Sequence, residues 1–436
     1  MKNISMILLD RAVMPRLAAL VICLLLGYIL WAIIYNIFFS PLRKIPGPKL
    51  WALSPLPQAL MACSGKPHKR ILELHQRYGD VVRTGPNSVS LCHHNAWRQA
   101  YGHLKPGELE NIKDPSLFEE VGHSIIAADT ENHGRQRRIL AGGFSGQSMV
   151  KQEPLIKGYV DLLFERMREH SENRTPFNVV RWYNYTTFDV IGDLAFGESF
   201  GCLEKSDYHT WVAMIFQQVK EIQPLAQLRR AYPIVGVLTK PLLQTFAAKK
   251  INEHAELVEH KVSKRLALNT SRPDFIDAMI APGSDSKQYL KAVIDEGMRI
   301  YPAAPASTPR VVHRGGATLC GTFLPEGTIF DIWQWPMYHN EKNFTSVESF
   351  IPERWLGDAR FAKDHADAFQ PFSVGPRSCL GKNLAYAEIR LILAKLVWNY
   401  DIALADETQK DWVKDQRQWG FWDKPPLYIR LEPRKP

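Results

Sequence analysis

Hydrophobic and polar positions along the chain change period several times, and helical spacing dominates. Leu17 to Phe39 carries no charge, and at about 1.5 Å per residue a helix of that length crosses a ~30 Å hydrocarbon layer. A transmembrane helix is the expectation. A cleaved signal peptide is the alternative, but the apolar run is too long for its usual core. It also ends in Tyr35-Asn36-Ile37-Phe38-Phe39 in place of small residues. Pro41 to Pro48 then reads as a rigid, non-helical exit, because its prolines fix φ and remove donors. Beyond it, Ile71 to Tyr78 has helical spacing, and Val81 to Leu91 alternates like a hairpin about Gly85-Pro86-Asn87. Tyr159 to Phe200 and Trp211 to Leu268 return to the helical period, the second with a charged end that reads as a solvated face. Leu290, Val293, Ile294, Gly297, Met298 and Tyr301 form one stripe of an amphipathic helix that stops before Pro302. Asn383 to Trp398 is the last apolar helical run; Gly420 to Pro426 and Leu427 to Leu431 read as a closing turn and a hairpin strand.

Composition narrows the partners. With 436 residues, 45% hydrophobic and 23% charged, the chain suits a globular body carrying one membrane segment. A formal charge of +9 could attract nucleic acid, but Lys and Arg are scattered and no nucleic-acid motif is present, so a membrane surface or an acidic protein fits better. The six cysteines, Cys23, Cys63, Cys92, Cys202, Cys320 and Cys379, show no paired spacing. That points to a reducing compartment and away from a disulfide framework. Arg43, Lys44 and Lys49 after the apolar run nearly match Lys2, Arg11 and Arg16 before it, so charge alone leaves the orientation open. His93-His94 reads as a solvated pair at a strand end.

Candidate chemistry centres on Phe372-Ser-Val-Gly-Pro-Arg-Ser-Cys-Leu-Gly381. A Gly-Pro turn ahead of Cys379, with Gly381 at a helix start, exposes a sulfur beneath free backbone N–H groups, which favours thiolate over thiol. Such a thiolate serves as a nucleophile, a zinc ligand or the axial ligand of a haem iron. Zinc lacks a second Cys or His at ligand spacing. Phe372, Gly375, Arg377, Cys379 and Gly381 match every fixed position of FxxGxRxCxG, so the chain resembles the cytochrome P450 monooxygenases, in their fungal membrane-bound branch.

Further stretches carry the same resemblance. His133 and Arg137, four apart on a helix face, sit where the family places two haem-propionate contacts; Arg377 and Arg310, after Pro309, supply two more. Glu296 and Arg299 match the ExxR motif, and Arg354 of Pro352-Glu-Arg354 would close their triad. The resemblance implies a mainly α fold with small β-sheets, haem b with an axial thiolate from Cys379, and electrons from an NADPH-dependent flavoprotein reductase. In the family, the thiolate pushes electron density into the iron and so helps break the O–O bond. No Gly-rich dinucleotide fingerprint occurs here, so the electron donor is external.

One part of the pattern is missing. Asp274 to Met279 resembles the approach to the family's long central helix, which carries the oxygen-activating Ala/Gly-Gly-x-(Asp/Glu)-Thr patch, but only Ile280 to Gln288 follow before the next helix. A helix crossing a ~30 Å domain needs about twenty residues, so that helix is expected to be absent. The expected organisation is a tail over 1–16, a transmembrane helix over 17–39, a proline-rich hinge over 40–49 and a catalytic domain over 50–436 with an internal deletion near 280–288. The family implies a single-pass protein of the endoplasmic reticulum with a cytosolic catalytic domain, oxidising a lipophilic small molecule in secondary metabolism. A catalytically impaired relative, a gene reading that has lost the exon for the central helix, and a membrane-anchored haem-binding or scaffolding protein stand as alternatives.

Overall fold

The uncharged N-terminal run is helical over Val13–Ile34 and continues as a π-helical turn over Tyr35–Phe39. Pro15–Phe39 has mean hydropathy 2.8 and none of it is buried, so it is long and apolar enough to cross a membrane. The computed structural model describes residues 13–118, 124–239, 286–306, 308–414 and 416–434. Pro41–Lys44 forms a 3₁₀ turn, which corrects the expected non-helical exit. Ser40 Oγ accepts the Leu42 N–H at 3.2 Å, and a proline at the first helical position loses no bond it would have made.

Arg83 stiffens this exit. Only 3% exposed, it donates to Asn36 O at 3.1 Å, Asn36 Oδ1 at 3.2 Å, Ser40 Oγ at 3.1 Å, Gly85 O at 3.2 Å and Pro86 O at 2.6 Å. A guanidinium with five donors suits this role, and it ties the end of the membrane helix to the first hairpin.

That hairpin is β1 (Val81–Gly85) and β2 (Ser88–Leu91), paired Val81 to Leu91 as the alternation predicts. Later strands are β3 (Ile112–Lys113), β4 (Phe177–Asn178), β5 (Arg310–Val311), β6 (Ala317–Leu319), β7 (Thr322–Leu324), β8 (Ile329–Asp331), β9 (Tyr400–Leu404), β10 (Arg417–Trp419), β11 (Phe421–Asp423) and β12 (Tyr428–Pro433). One sheet runs β1-β2-β8-β5-β3, with β2 and β8 parallel; β4-β12-β9 form a second; β6-β7 and β10-β11 are hairpins. Within the expected closing turn, Phe421–Asp423 is strand, leaving Gly420 as the hairpin turn and residues 424–426 as the loop before β12.

The helices supply most of the core. Gly146–Glu172 and Val179–Phe196 pack together through Val160, Leu163, Met167, Tyr185 and Val190, all nearly or wholly buried. Within Phe188 to Gly197, Asp189 accepts the N–H groups of Cys202 at 3.0 Å and Leu203 at 2.8 Å, and Asp193 accepts the Tyr159 hydroxyl at 2.7 Å. The first sheet has its own cluster around Leu91, Phe330, Tyr338 and Phe344.

The stripe from Leu290 lies on the helix Ser286–Ile300, and the run from Asn383 on the helix Lys382–Asn399. Ser286 to Gln288 therefore already belong to a helix, and the rest of the expected deletion site lies outside the described residues. So does the charged end expected beyond the helix Thr210–Ala231. His94 is half-buried. Its ring packs against His93 at 4.1 Å and stacks on His365 at 4.0 Å, because the strand end abuts the loop that carries His365.

Candidate haem-thiolate site

The loop before Cys379 is held by its own backbone. Gly375 to Arg377 make a 3₁₀ turn, the Cys379 N–H donates to Phe372 O at 2.8 Å, and Ser378 N–H donates to Gly375 O at 3.1 Å. Gly375 has φ +74°, and a Cβ there would lie 2.0 Å from Tyr101 O, so only glycine fits. Cys379 is exposed and close to a helix start: a Cβ on Gly381, the cap of Lys382–Asn399, would lie 3.9 Å from its sulfur. No side chain closes that cap, so the first N–H groups of the helix stay open beside the sulfur. Phe372 packs on the Tyr386 ring at 5.3 Å, and Tyr386 donates to Asp295 at 2.7 Å, tying the loop to the helix that bears Glu296.

The second element is the helix Thr130–Ala141, started by Asp129, whose carboxylate accepts the Asn132 N–H at 2.8 Å. His133 is buried, and Arg137, one turn on, donates to Ser378 O at 2.6 Å and Ser378 Oγ at 3.2 Å. Of the expected pair, Arg137 thus docks on the cysteine loop, while His133 is buried one turn before it. Burial, followed by the charges of Arg377, Lys113 and Arg137, pushes the His133 pKa down to about 4, so the ring is neutral at pH 7.

Arg377 and Arg310 converge on a residue the sequence did not single out. Glu110 accepts from Arg377 Nε, from Arg377 Nη2 at 3.2 Å and from Arg310 Nη1 at 3.4 Å. Arg377 also donates to Ala128 O at 2.9 Å, and Arg310 lies over the Tyr101 ring at 4.8 Å. Lys113 pairs with Arg310 across β3 and β5 and donates to Ile126 O. Burial, then the charges of Arg310 and Arg377, lowers the Lys113 pKa to about 8. Neither Glu110 nor Lys113 was legible, because a two-residue strand has no period and the loop before it carries no motif.

Among the described residues, Arg310 and Arg377 therefore bind one carboxylate, with Lys113 beside Arg310 and Arg137 on the adjoining Ser378. Among the described residues Asp129 is a further acid near Arg377, and it is exposed and engaged in its helix cap. Arg310 Nε is buried without a hydrogen-bond partner. An orphaned guanidinium N–H beside excess positive charge fits a dianion, here within reach of the loop that presents one sulfur. Among the described residues no three His, Cys, Asp or Glu side chains gather as metal ligands.

Glu296, Arg299 and Arg354 close as the resemblance implies. Arg299 donates to Glu296 Oε2 at 3.0 Å and Oε1 at 2.9 Å, and to the carbonyls of Tyr338, Val347 and Ser349. Arg354 adds a 3.1 Å bond to Glu296 and reaches Asp364. Ile351 N–H and Trp355 Nε1 also donate to Glu296, each at 3.0 Å. Burial alone would raise the Glu296 carboxyl, but these bonds hold it below its ordinary value.

The comparisons with known proteins agree with this geometry. The family model described as Cytochrome P450 matches residues 45–288 and 284–430. Trichothecene C-15 hydroxylase of Fusarium sporotrichioides is 40% identical over 477 aligned positions, covering 94% of this chain and 96% of that one. A cytochrome P450 monooxygenase of Aspergillus oryzae is 37% identical, covering 93% and 95%, and averantin hydroxylase of Dothistroma septosporum is 36% identical, covering 94% and 90%. Since 94% of 436 residues is about 410, about 67 of the 477 positions aligned with the first of these have no counterpart in this chain. The same reckoning gives about 71 for averantin hydroxylase. Matching at this identity over nearly the whole length makes the chain an oxidoreductase of the cytochrome P450 monooxygenase family.

Proposed function

We propose that this chain is a haem-thiolate monooxygenase anchored in the endoplasmic reticulum membrane, with Cys379 as the axial ligand of haem b. Arg137, Arg310, Arg377 and His133 hold the two porphyrin carboxylates. The observation that carries the reading is the excess of cations around Glu110 among the described residues, with the orphaned Arg310 Nε, next to the loop that presents the exposed Cys379 ahead of an uncapped helix start. When bound, haem supplies the oxygen activation that hydroxylation requires. The chain's own residues orient it: Arg137 docks the carboxylate-binding helix on the sulfur loop, and the buried, neutral His133 offers one ring N–H without adding charge. Electrons come from an NADPH-dependent flavoprotein reductase on the cytosolic side. The substrate is a lipophilic secondary metabolite, a class supported by the relatives named for trichothecene and averantin hydroxylation.

The roughly 70 unmatched positions fall together between Ile280 and Gln288. That placement is supported by the family model, which matches in two stretches meeting at 284–288. They are long enough to include the central helix that the sequence lacks, which needs about twenty residues, together with flanking segments. Haem binding and turnover are therefore separate questions for this chain. Co-expression with a reductase answers both: a thiolate-type carbon-monoxide difference band with oxygen-dependent product supports the monooxygenase reading. The band without product leaves haem binding alone, and no haem uptake defeats the reading. Sequencing transcripts across Met279 to Lys291 tests whether the helix is encoded in the gene and lost from this form.

A further inference from the structure

Glu110 belongs to none of the motifs above, yet three separate segments meet on it. Thr130 Oγ1, from the first turn of the His133 helix, donates to Glu110 Oε2; Arg377 comes from the cysteine loop and Arg310 from β5. The Glu110 side chain is 17% exposed, those of Arg310 and Arg377 only 6%. Burial alone would raise its carboxyl, but the hydrogen bonds from Arg377 and Thr130 and the charges of Arg377 and Arg310 hold it below the usual carboxylate range, so it is ionised at neutral pH.

A carboxylate among cations has two physical options when a second anion arrives. It can give way, or it can stay and aim them. Giving way would strand a negative charge in a largely buried position and break a two-toothed arginine pair, which is costly. Staying keeps Arg377 bound through both Nε and Nη2 and turns Arg310 so that Nη1 meets Glu110 and Asn111 O while Nε is left over. Without Glu110, the like charges of Arg310, Arg377, Arg137 and Lys113 would repel one another and disorder the donors.

The geometry points to Glu110 as a positioning residue for the cofactor: it fixes Arg310 and Arg377 in the orientation that receives the porphyrin carboxylates. This rests on the haem reading of the site. The opposite role, a placeholder that competes with the porphyrin, makes the opposite statement about the same variant.

The test uses the full membrane-anchored chain loaded with ferric haem, with haem loss followed by transfer to excess apomyoglobin. Glu110→Gln is expected to lose haem about tenfold faster than the parent while keeping its thiolate carbon-monoxide band, and Glu110→Asp to recover part of the difference. A rate equal to the parent's overturns the role, and a slower rate overturns it in favour of competition. If Glu110→Gln does not fold, Thr130→Val, which removes only the hydroxyl donor, is expected to shift the rate in the same direction by less; an unchanged rate there also overturns the inference. A parent chain that takes up no haem defeats the haem reading itself, whereas normal uptake with an unresponsive variant defeats only the role of Glu110.

Discussion

Two pairs of arginines in this chain each gather on one glutamate, and the difference between them separates scaffold from site. Around Glu296, Arg299 and Arg354 meet Glu296 and Asp364, two charges against two, with Glu296 and Arg299 side chains wholly buried. All five N–H donors of Arg299 are used. Around Glu110, among the described residues, Arg310 and Arg377 meet one half-buried acid with Lys113 alongside, and Arg310 Nε is orphaned. The first cluster is balanced in charge, although Arg354 Nη2 is also left without a partner, so its part is to hold the fold together. The second is left positive and open, so it is complete only with an anion.

The largest effect that could break this comparison comes from the closed cluster. Glu296→Ala strands two buried guanidinium groups, a loss of about 3–5 kcal/mol against a total stability of roughly 5–15 kcal/mol. The expected outcome is loss of the cooperative thermal transition with or without haem; a normal melt would mean that the cluster is not structural. Arg310→Ala should behave differently. Haem retention, measured by transfer to apomyoglobin, is expected to fall about 10- to 100-fold, while the far-UV melt of the haem-free chain moves little. Equal damage to both quantities would erase the distinction between the clusters.

Gly375→Ala probes the loop that carries the sulfur. Its φ of +74° and the approach to Tyr101 O make an added methyl group cost about 1–3 kcal/mol, read as a lower melting midpoint together with a weaker carbon-monoxide band. An unchanged midpoint would show that the turn tolerates another backbone conformation.

The smallest effect is in pH. His133 has its pKa lowered to about 4, against an ordinary 6.5 in the unfolded chain. As pH falls from 6.5 toward 4, the unfolded chain takes up a proton that the folded chain refuses, so stability drops across that window. Glu296 is held below its ordinary 4.5, so its contribution is present above that value and is lost only as pH falls below it. Melts from pH 7 to 5 should therefore show a decline in the parent that is shallower in His133→Phe; identical slopes would place the lost stability in other groups.

How much of this was legible from sequence depended on where the chain puts its signals. The membrane helix, the Leu290 stripe and the Asn383 run were readable because long periodic segments carry their own pattern. Cys379, Arg377, Glu296, Arg299 and Arg354 were readable because fixed spacings held them within motifs, and the structure brings the last three together as expected. Glu110, Lys113 and Thr130 were not. Each acts through a partner far away in sequence, from a loop, a two-residue strand or a helix start with no period of its own. The stacking of His94 on His365 was missed for the same reason, since nothing local marks a contact spanning so much chain. The 3₁₀ turn at Pro41–Lys44 was hidden because proline excludes a helix interior but not a helix start.

Everything assigned to the open cluster depends on a sulfur beside it that holds iron. The most direct measurement is the ferrous carbon-monoxide difference spectrum of the full chain alongside Cys379→Ser. The parent is expected to bind haem and give the thiolate-type band, and the serine variant to lose that band while Arg310 and Arg377 remain in place. A serine variant that keeps both the haem and the same band would contradict the assignment of Cys379 as the axial ligand.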